Sequence, residues 1–211
     1  RPVALRSSLM ARIFLRASSS ASISSHFDMV TRSSTFFEEA IQTMAAKGLS
    51  ADTVSAGGVV YANLAWPDHR PYGVNECRPG VYAYQDLTKV AFDVATLEDC
   101  AMRIVCTVVS RPTPRRAILD GGSKTFSQDG FQWVEGFGHI VEYPDATIDK
   151  FSEEHGVVEG LSGERNPAIG DRVTVIPNYC NTVTNLHDVV YGVRDAVVET
   201  VWPVAARGAI Q

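Results

Sequence analysis

The chain has 211 residues, 45% of them hydrophobic and 20% charged, with a formal charge of -5. That length holds one full core, or one small domain and part of another, and the acidic balance gives no electrostatic ground for a nucleic-acid or anionic-membrane partner. No apolar run approaches the roughly 20 residues a bilayer-spanning helix needs.

In chain order, residues 1–32 come first as an Arg- and Ser-rich leader with no acid before Asp28. It reads as disordered and outside the fold, or, if translation begins at Met10, as a mitochondrial targeting segment, MARIFLRASSSASISS. The pattern predicts a helix from Ser34 to Lys47. Thr35 and Glu38 have capping-box spacing, Phe37, Ile41, Met44 and Ala45 recur at helical intervals, and Gly48 supplies the stop. A strand-like piece, ADTVSAGGVVYA, then opens into Gly57-Gly58, and Asn63 to Gly73, with Pro67 and Pro71, reads as loop.

From Val81 the texture changes. VYAYQ, RIVCTVVS, RAILD, GHIVEY, DRVTVIP, DVVYGV and AVVETVWPV are β-branched or aromatic runs, separated by the turn signals DGG, QDG and NPAIGD. Many short strands with little helical periodicity predict a closed or sandwiched antiparallel domain. The organisation expected is α+β: a helix–strand remnant of an α/β unit at 33–75, then an all-β domain at 76–211. The cysteines Cys77, Cys100, Cys106 and Cys180 form no C-x-x-C pair, which disfavours a disulfide framework or zinc knuckle and fits a reducing, cytoplasmic compartment.

Five segments could carry chemistry. Ser55-Ala56-Gly57-Gly58 follows a strand, and glycines there let backbone N–H groups approach a phosphate, although an ordinary turn looks the same. In Glu76-Cys77-Arg78-Pro79-Gly80-Val81-Tyr82, a Pro-Gly turn leads to Tyr82, expected on a strand face with Tyr84, either as core or near a cofactor. Asp120-Gly121-Gly122-Ser123-Lys124 could bind an anion but reads first as a surface hairpin; Lys124 there is a poor Schiff-base lysine. Glu153-Glu154-His155-Gly156 sets carboxylates beside an imidazole, for acid–base work, metal binding or a structural role. The segment from Pro177 to Asp188, PNYCNTVTNLHD, is unusually polar between strands, and His187-Asp188 could be a ligand pair or simply solvated.

Taken together and in order, SAGG, ECRPGVYAYQD, DCAMRIVCTVVSR, RAILDGGSKTFSQDG, EEHG, GDRVTVIPNYCNTVTNLHD and VWPVAARG resemble the C-terminal half of the D-threonine aldolase/D-serine dehydratase-like family. The resemblance spans roughly residues 33–211. It implies a fold-type III pyridoxal-phosphate enzyme, alanine racemase-like, with a (β/α)₈ barrel, a following β domain, a homodimeric assembly and a small D-amino acid as substrate. Ser55, Gly57 and Gly58 would then belong to the phosphate-binding loops at the barrel's C-terminal face, with Tyr82 near the cofactor.

Two departures accompany it. The family's Schiff-base lysine lies in a segment resembling R-P-H-x-K-T-H-K, and nothing in this sequence matches it; Lys47, Lys89, Lys124 and Lys150 stand elsewhere. The family's P-N-H-x-C or P-N-H-x-D motif binds a divalent metal, but Tyr179 and Asn181 occupy those two positions, with Cys180 one place out of a strand-like register. His155 and His187 are the substitute ligands to consider. The reading is the C-terminal portion of a lyase acting on β-hydroxy D-amino acids, incomplete or inactive alone. The alternative is a non-catalytic β domain serving interaction or dimerisation.

Overall fold

The computed structural model describes residues 35–57, 73–78, 80–92, 94–162 and 166–209. They fall into two compact units, one up to Gly80 and one from Val81. Among the described residues no helix is long and apolar enough to cross a membrane. The leader, Gly58 and most of the expected 63–73 loop lie outside the described residues.

In the first unit, helix α1 covers 35–46, close to the expected span. Gly48 ends it at φ +71°, a left-handed conformation that glycine adopts without a Cβ penalty, and its N–H donates to the Ala45 carbonyl at 3.0 Å. Strand β1 (Ser55–Gly57) pairs in parallel with β2 (Glu76–Arg78), Ser55 opposite Glu76 and Gly57 opposite Arg78. Parallel pairing needs a long crossover, so this short sheet is α/β in character. Its small core is Ala56 and Val74, with Phe37 and Val54 packed on them.

The second unit opens with a 3₁₀ turn at Val81–Ala83, where a strand was expected from VYAYQ. Only Val81 is buried there, while Tyr82 and Ala83 are exposed, so the two-residue alternation that would face Tyr82 and Tyr84 the same way does not exist. Gln85, at φ +55°, ends the turn. Helix α2 (Leu87–Val90) follows.

Six strands then close a barrel: β3 (Ile104–Thr113), β4 (Arg116–Leu119), β5 (His139–Ile140), β6 (Thr147–Phe151), β7 (Gly156–Glu159) and β8 (Arg172–Ile176). Around the barrel they run β3-β4-β7-β6-β5-β8, antiparallel throughout. Inward positions alternate along β3 and β8, as in Ile104, Cys106 and Val108 on β3 and Val173 and Val175 on β8. Each such aliphatic side chain contributes about 1.5–3 kcal/mol by leaving water, and closure removes the unpaired edges an open sheet would expose.

Two barrel strands were not legible as strands. Thr-Ile-Asp-Lys-Phe in β6 puts only Ile148 fully inside, and a register shift between Ile148 and Lys150 breaks its alternation. Gly-Val-Val-Glu in β7 is simply short. GHIVEY, in contrast, pairs only at His139–Ile140, because the Tyr143 N–H donates back to the Ile140 carbonyl in a turn.

The Gly121-Gly122 segment is a buried crossing, where a surface hairpin was expected. Gly122 begins the one-turn helix α3 (Ser123–Phe126), and a Cβ there would stand 2.5 Å from backbone atoms of Ser152, Glu153 and His155. Only a residue without a side chain lets α3 lie so close to the β6–β7 turn. After β8 the chain forms helix α4 (Cys180–Leu186), then the hairpin β9 (Val189–Arg194) and β10 (Val197–Pro203), a separate two-stranded sheet. One hairpin face joins the pairs Tyr191–Val201 and Val193–Val198, all four side chains exposed.

Gly122→Ala should therefore lower unfolding free energy by about 2–3 kcal/mol, through a contact that backbone cannot relieve. Gly130→Ala, whose added methyl meets only Phe137 at 3.7 Å, should change it by less than about 0.5 kcal/mol. Urea denaturation of the two variants checks the contrast.

Candidate functional site

The site is built around α4. Asp86 is fully buried and caps two helices at once. Its Oδ1 accepts from the Thr88 N–H at 3.1 Å and from the Thr88 hydroxyl, which caps α2, while its Oδ2 accepts from the Cys180 N–H at 3.1 Å, in the first turn of α4. Tyr179, the residue in the N-cap position of α4, offers no side-chain cap of its own, so the remote carboxylate does that work. A helix N-terminus favours a negative charge, and burial makes each satisfied donor count.

Asn178, also buried, clamps the neighbouring loop: its Nδ2 donates to the Asp129 carbonyl at 2.9 Å and the Gly136 carbonyl at 2.8 Å. Its Oδ1 is buried without a partner among the described residues. Thr182 binds the Asp129 carboxylate, which also accepts from the Ser127 hydroxyl at 2.7 Å. The clamped loop presents an aromatic row. Phe131 meets the Tyr179 ring edge-on at 6.0 Å, Trp133 stacks on Phe131 at 5.6 Å, and Phe92 follows at 5.3 Å from Trp133. A cavity of about 380 Å³ opens beside it, walled by Phe131, Val134, Glu135, Phe137, Thr147 and Asp149.

Tyr179 and Asn181, which the resemblance sets at the family's two ligand positions, are brought together: the Asn181 Nδ2 donates to the Tyr179 Oη at 3.0 Å. The segment is helical, so the strand register that put Cys180 on an opposite face does not apply. Cys180 is instead turned into the core by the start of α4. Its thiol is pushed up to about 12, first by burial and then by the neighbouring Asp86 carboxylate. Burial likewise pushes Cys106 to about 12 and Cys100 to about 11.

The remaining candidates stand apart. His187 follows the last turn of α4, seven residues and about 10 Å of helix from its start. Its Nε2 lies 3.1 Å from the Thr125 carbonyl, and because a carbonyl only accepts, Nε2 carries the proton. Asp188 pairs with Arg207, not with His187. Glu153 and Glu154 both bind Lys124, at 3.0 and 2.8 Å, and the pair raises the lysine above its usual range, Glu154 foremost. With both carboxylates on Lys124 and His155 exposed in the turn, EEHG is a surface ion cluster.

In the first unit, the Ser55 hydroxyl donates to Glu76 Oε1 at 2.5 Å and accepts from Arg78 Nε at 2.8 Å. The Arg78 guanidinium lies beside Gly57. Tyr82 is exposed at the start of the second unit.

Asp86 and the Phe131–Trp133 pair were not singled out from the sequence, and Arg78 and Asn178 entered only as members of longer candidate segments. Asp-Leu-Thr at 86–88 did carry an N-cap signal. Nothing local pointed to the Asp86 bond with Cys180, whose partner lies 94 residues away.

A closed antiparallel barrel of this order, with an α/β fragment before it, is the C-terminal architecture of fold-type III, alanine racemase-like enzymes. The family model described as "Putative serine dehydratase domain" matches residues 101–193. The chain is 32% identical over 183 residues to a 3-hydroxy-D-aspartate aldolase of Paracoccus denitrificans, covering 81% of this chain and 43% of the aldolase. An uncharacterized protein of Mycobacterium tuberculosis is 42% identical over 114 residues, 52% of this chain and 86% of that protein. The crystal structure of D-threonine aldolase from Filomicrobium marinum superposes with a TM-score of 0.69 at 26% identity, over 86% of this chain and 48% of that one. The chain belongs to the D-threonine aldolase/D-serine dehydratase-like family, and spans less than half the length of these two aldolases.

Asp86→Ala should cost about 3 kcal/mol of stability, since three donors lose their acceptor. Asp86→Asn should recover only the Thr88 side, because its amide N–H₂ would face the Cys180 N–H; chemical denaturation distinguishes the two. At pH 8 a thiol titrating near 12 is thiolate in only about one molecule in ten thousand. Iodoacetamide should thus leave Cys100, Cys106 and Cys180 unlabelled in the folded chain and label all three in urea, as mapped by peptide mass spectrometry.

Proposed function

We propose that this chain is the C-terminal portion of a pyridoxal-phosphate-dependent lyase acting on β-hydroxy D-amino acids, and that it does not catalyse alone. The observation that carries the reading is the similarity to a 3-hydroxy-D-aspartate aldolase over 81% of the chain. When bound, pyridoxal phosphate supplies an electron sink for charge developing at a substrate's Cα.

The first unit has the chemistry to hold the cofactor's phosphate. Arg78 brings a guanidinium, Ser55 a hydroxyl oriented by Glu76, and Gly57 a backbone without a side chain, side by side. Gly58 and Tyr82 join this set by the family resemblance. None of the four lysines stands on β1 or β2. Lys47 follows α1, Lys89 donates to the Thr88 hydroxyl at 2.9 Å, Lys124 is held by its two glutamates, and Lys150 lies on β6. The chain's own contribution is to bind and orient: a phosphate on Arg78 beside the Gly57 backbone, with Ser55 holding Arg78, and a polar group of the substrate at the α4 end of the barrel. A homodimer is the assembly this reading carries.

A second reading has its own support. In the Mycobacterium tuberculosis relative, 86% of the protein aligns with 114 residues of this chain, so a protein can consist largely of this region. An interaction or dimerisation module would use the apolar hairpin face of Tyr191, Val193, Val198 and Val201.

The two readings separate in one experiment. On titration with pyridoxal phosphate, Arg78→Ala should weaken binding about tenfold, the loss of one charge-assisted contact. The chain alone should develop no aldimine-type band at about 410–430 nm and release no aldehyde from D-threonine. A borohydride-stable adduct on a lysine, or turnover by the chain alone, would refute the incomplete-enzyme reading. No cofactor binding at all would favour the interaction module.

A further inference from the structure

We propose that the α4 end of the barrel, where the family implies a divalent metal, is in this chain a metal-free hydrogen-bonding site, and that Tyr179 and Asn181 alone make it so. The inference rests on the family assignment and not on the activity proposed above.

The donor set does not fit the ion. An imidazole with a thiolate or carboxylate offers basic lone pairs and negative charge, whereas a phenol and a carboxamide are neutral and weakly donating. Their orientation reinforces this. The Asn181 amide gives its N–H to the Tyr179 oxygen at 3.0 Å, and its carbonyl oxygen accepts from the Cys180 thiol at 3.7 Å. One of that oxygen's two lone pairs is engaged by the thiol, and the oxygen stays neutral.

The neighbouring anions are already engaged. Asp86 accepts from the Thr88 N–H, the Thr88 hydroxyl and the Cys180 N–H. Asp129 accepts from the hydroxyls of Ser127 and Thr182. His187 is at the other end of α4, its Nε2 on the Thr125 carbonyl. Among the described residues no three His, Cys, Asp or Glu side chains lie close enough to share a metal ion.

The pair is nevertheless held for binding. Phe131 fixes the Tyr179 ring from one side. Having accepted a hydrogen bond from Asn181, the Tyr179 oxygen keeps its own proton to give. The ligand group it fits is an oxygen acceptor, a hydroxyl or carboxylate of a small molecule, recognised by a neutral O–H where relatives would use a Lewis acid.

The test is calorimetric titration of the chelator-treated chain with Zn²⁺ and with Mn²⁺. The parent chain should show no one-to-one site, and Tyr179→His/Asn181→Cys should gain one, at least about a hundredfold tighter than anything the parent shows. Tyr179→His/Asn181→Asp is the companion variant; Asn181 is exposed and Tyr179 only half-buried, so circular dichroism should confirm that both fold. One-to-one binding by the parent, lost in Tyr179→Phe/Asn181→Ala, would overturn the proposal. So would folded variants that gain nothing, because the determinant would then lie outside these two positions.

Discussion

The carboxylate of Asp86 accepts hydrogen bonds from its own helix and from Cys180, 94 residues along the chain, and the geometry at the end of the barrel follows from that junction. It caps α2 as its own N-cap residue and caps α4 from outside, where Tyr179 supplies no capping group. Helices of four and seven residues are too short to persist on propensity alone. They persist here because their first N–H groups find a buried anion, and because Leu87, Cys100 and Ile176 form a core layer with Val90, Leu97 and Val134 packed on it.

The barrel supplies the rigid floor. Six short strands, none stable alone, become one closed surface whose interior is filled by alternate aliphatic side chains. The irregular segments between them are then fixed by a few side-chain bonds, of which the Asn178 clamp on the Asp129 and Gly136 carbonyls is the clearest. That clamp sets Phe131 against Tyr179, so the aromatic row and the polar pair at α4 are parts of one arrangement.

Charge is distributed unequally in the two units. In the first, the Arg78 guanidinium lies beside Gly57, and its Nε donates to the Ser55 hydroxyl, which in turn donates to the Glu76 carboxylate. In the second, the buried Asp86 and half-buried Asp129 carboxylates near α4 are satisfied by neutral hydroxyl and amide donors, and the pair Tyr179–Asn181 carries no charge. On the proposed reading a polar ligand at α4 is met by hydrogen bonds, and among the described residues no three His, Cys, Asp or Glu side chains are grouped to hold a cation.

Much of this was legible in the amino-acid order. Helix α1 with its Gly48 stop, and strands β3, β4, β8, β9 and β10, follow from local periodicity, β-branched content and turn residues, and β3, β4 and β8 also bury the face that their own sequence alternates. The family was legible too, since motif order needs no coordinates. Only the tertiary structure decided that VYAYQ turns instead of extending, that β6 and β7 complete the barrel despite weak patterns, and that PNYCNTVTNL becomes a helix. It alone joined Asp86 to Cys180, Lys124 to Glu153 and Glu154, and Asn181 to Tyr179. The reason is physical: a local pattern records which face a segment will bury, but not which distant donor will reach a buried carboxylate, and that is settled only when the barrel closes and brings the ends of its strands together.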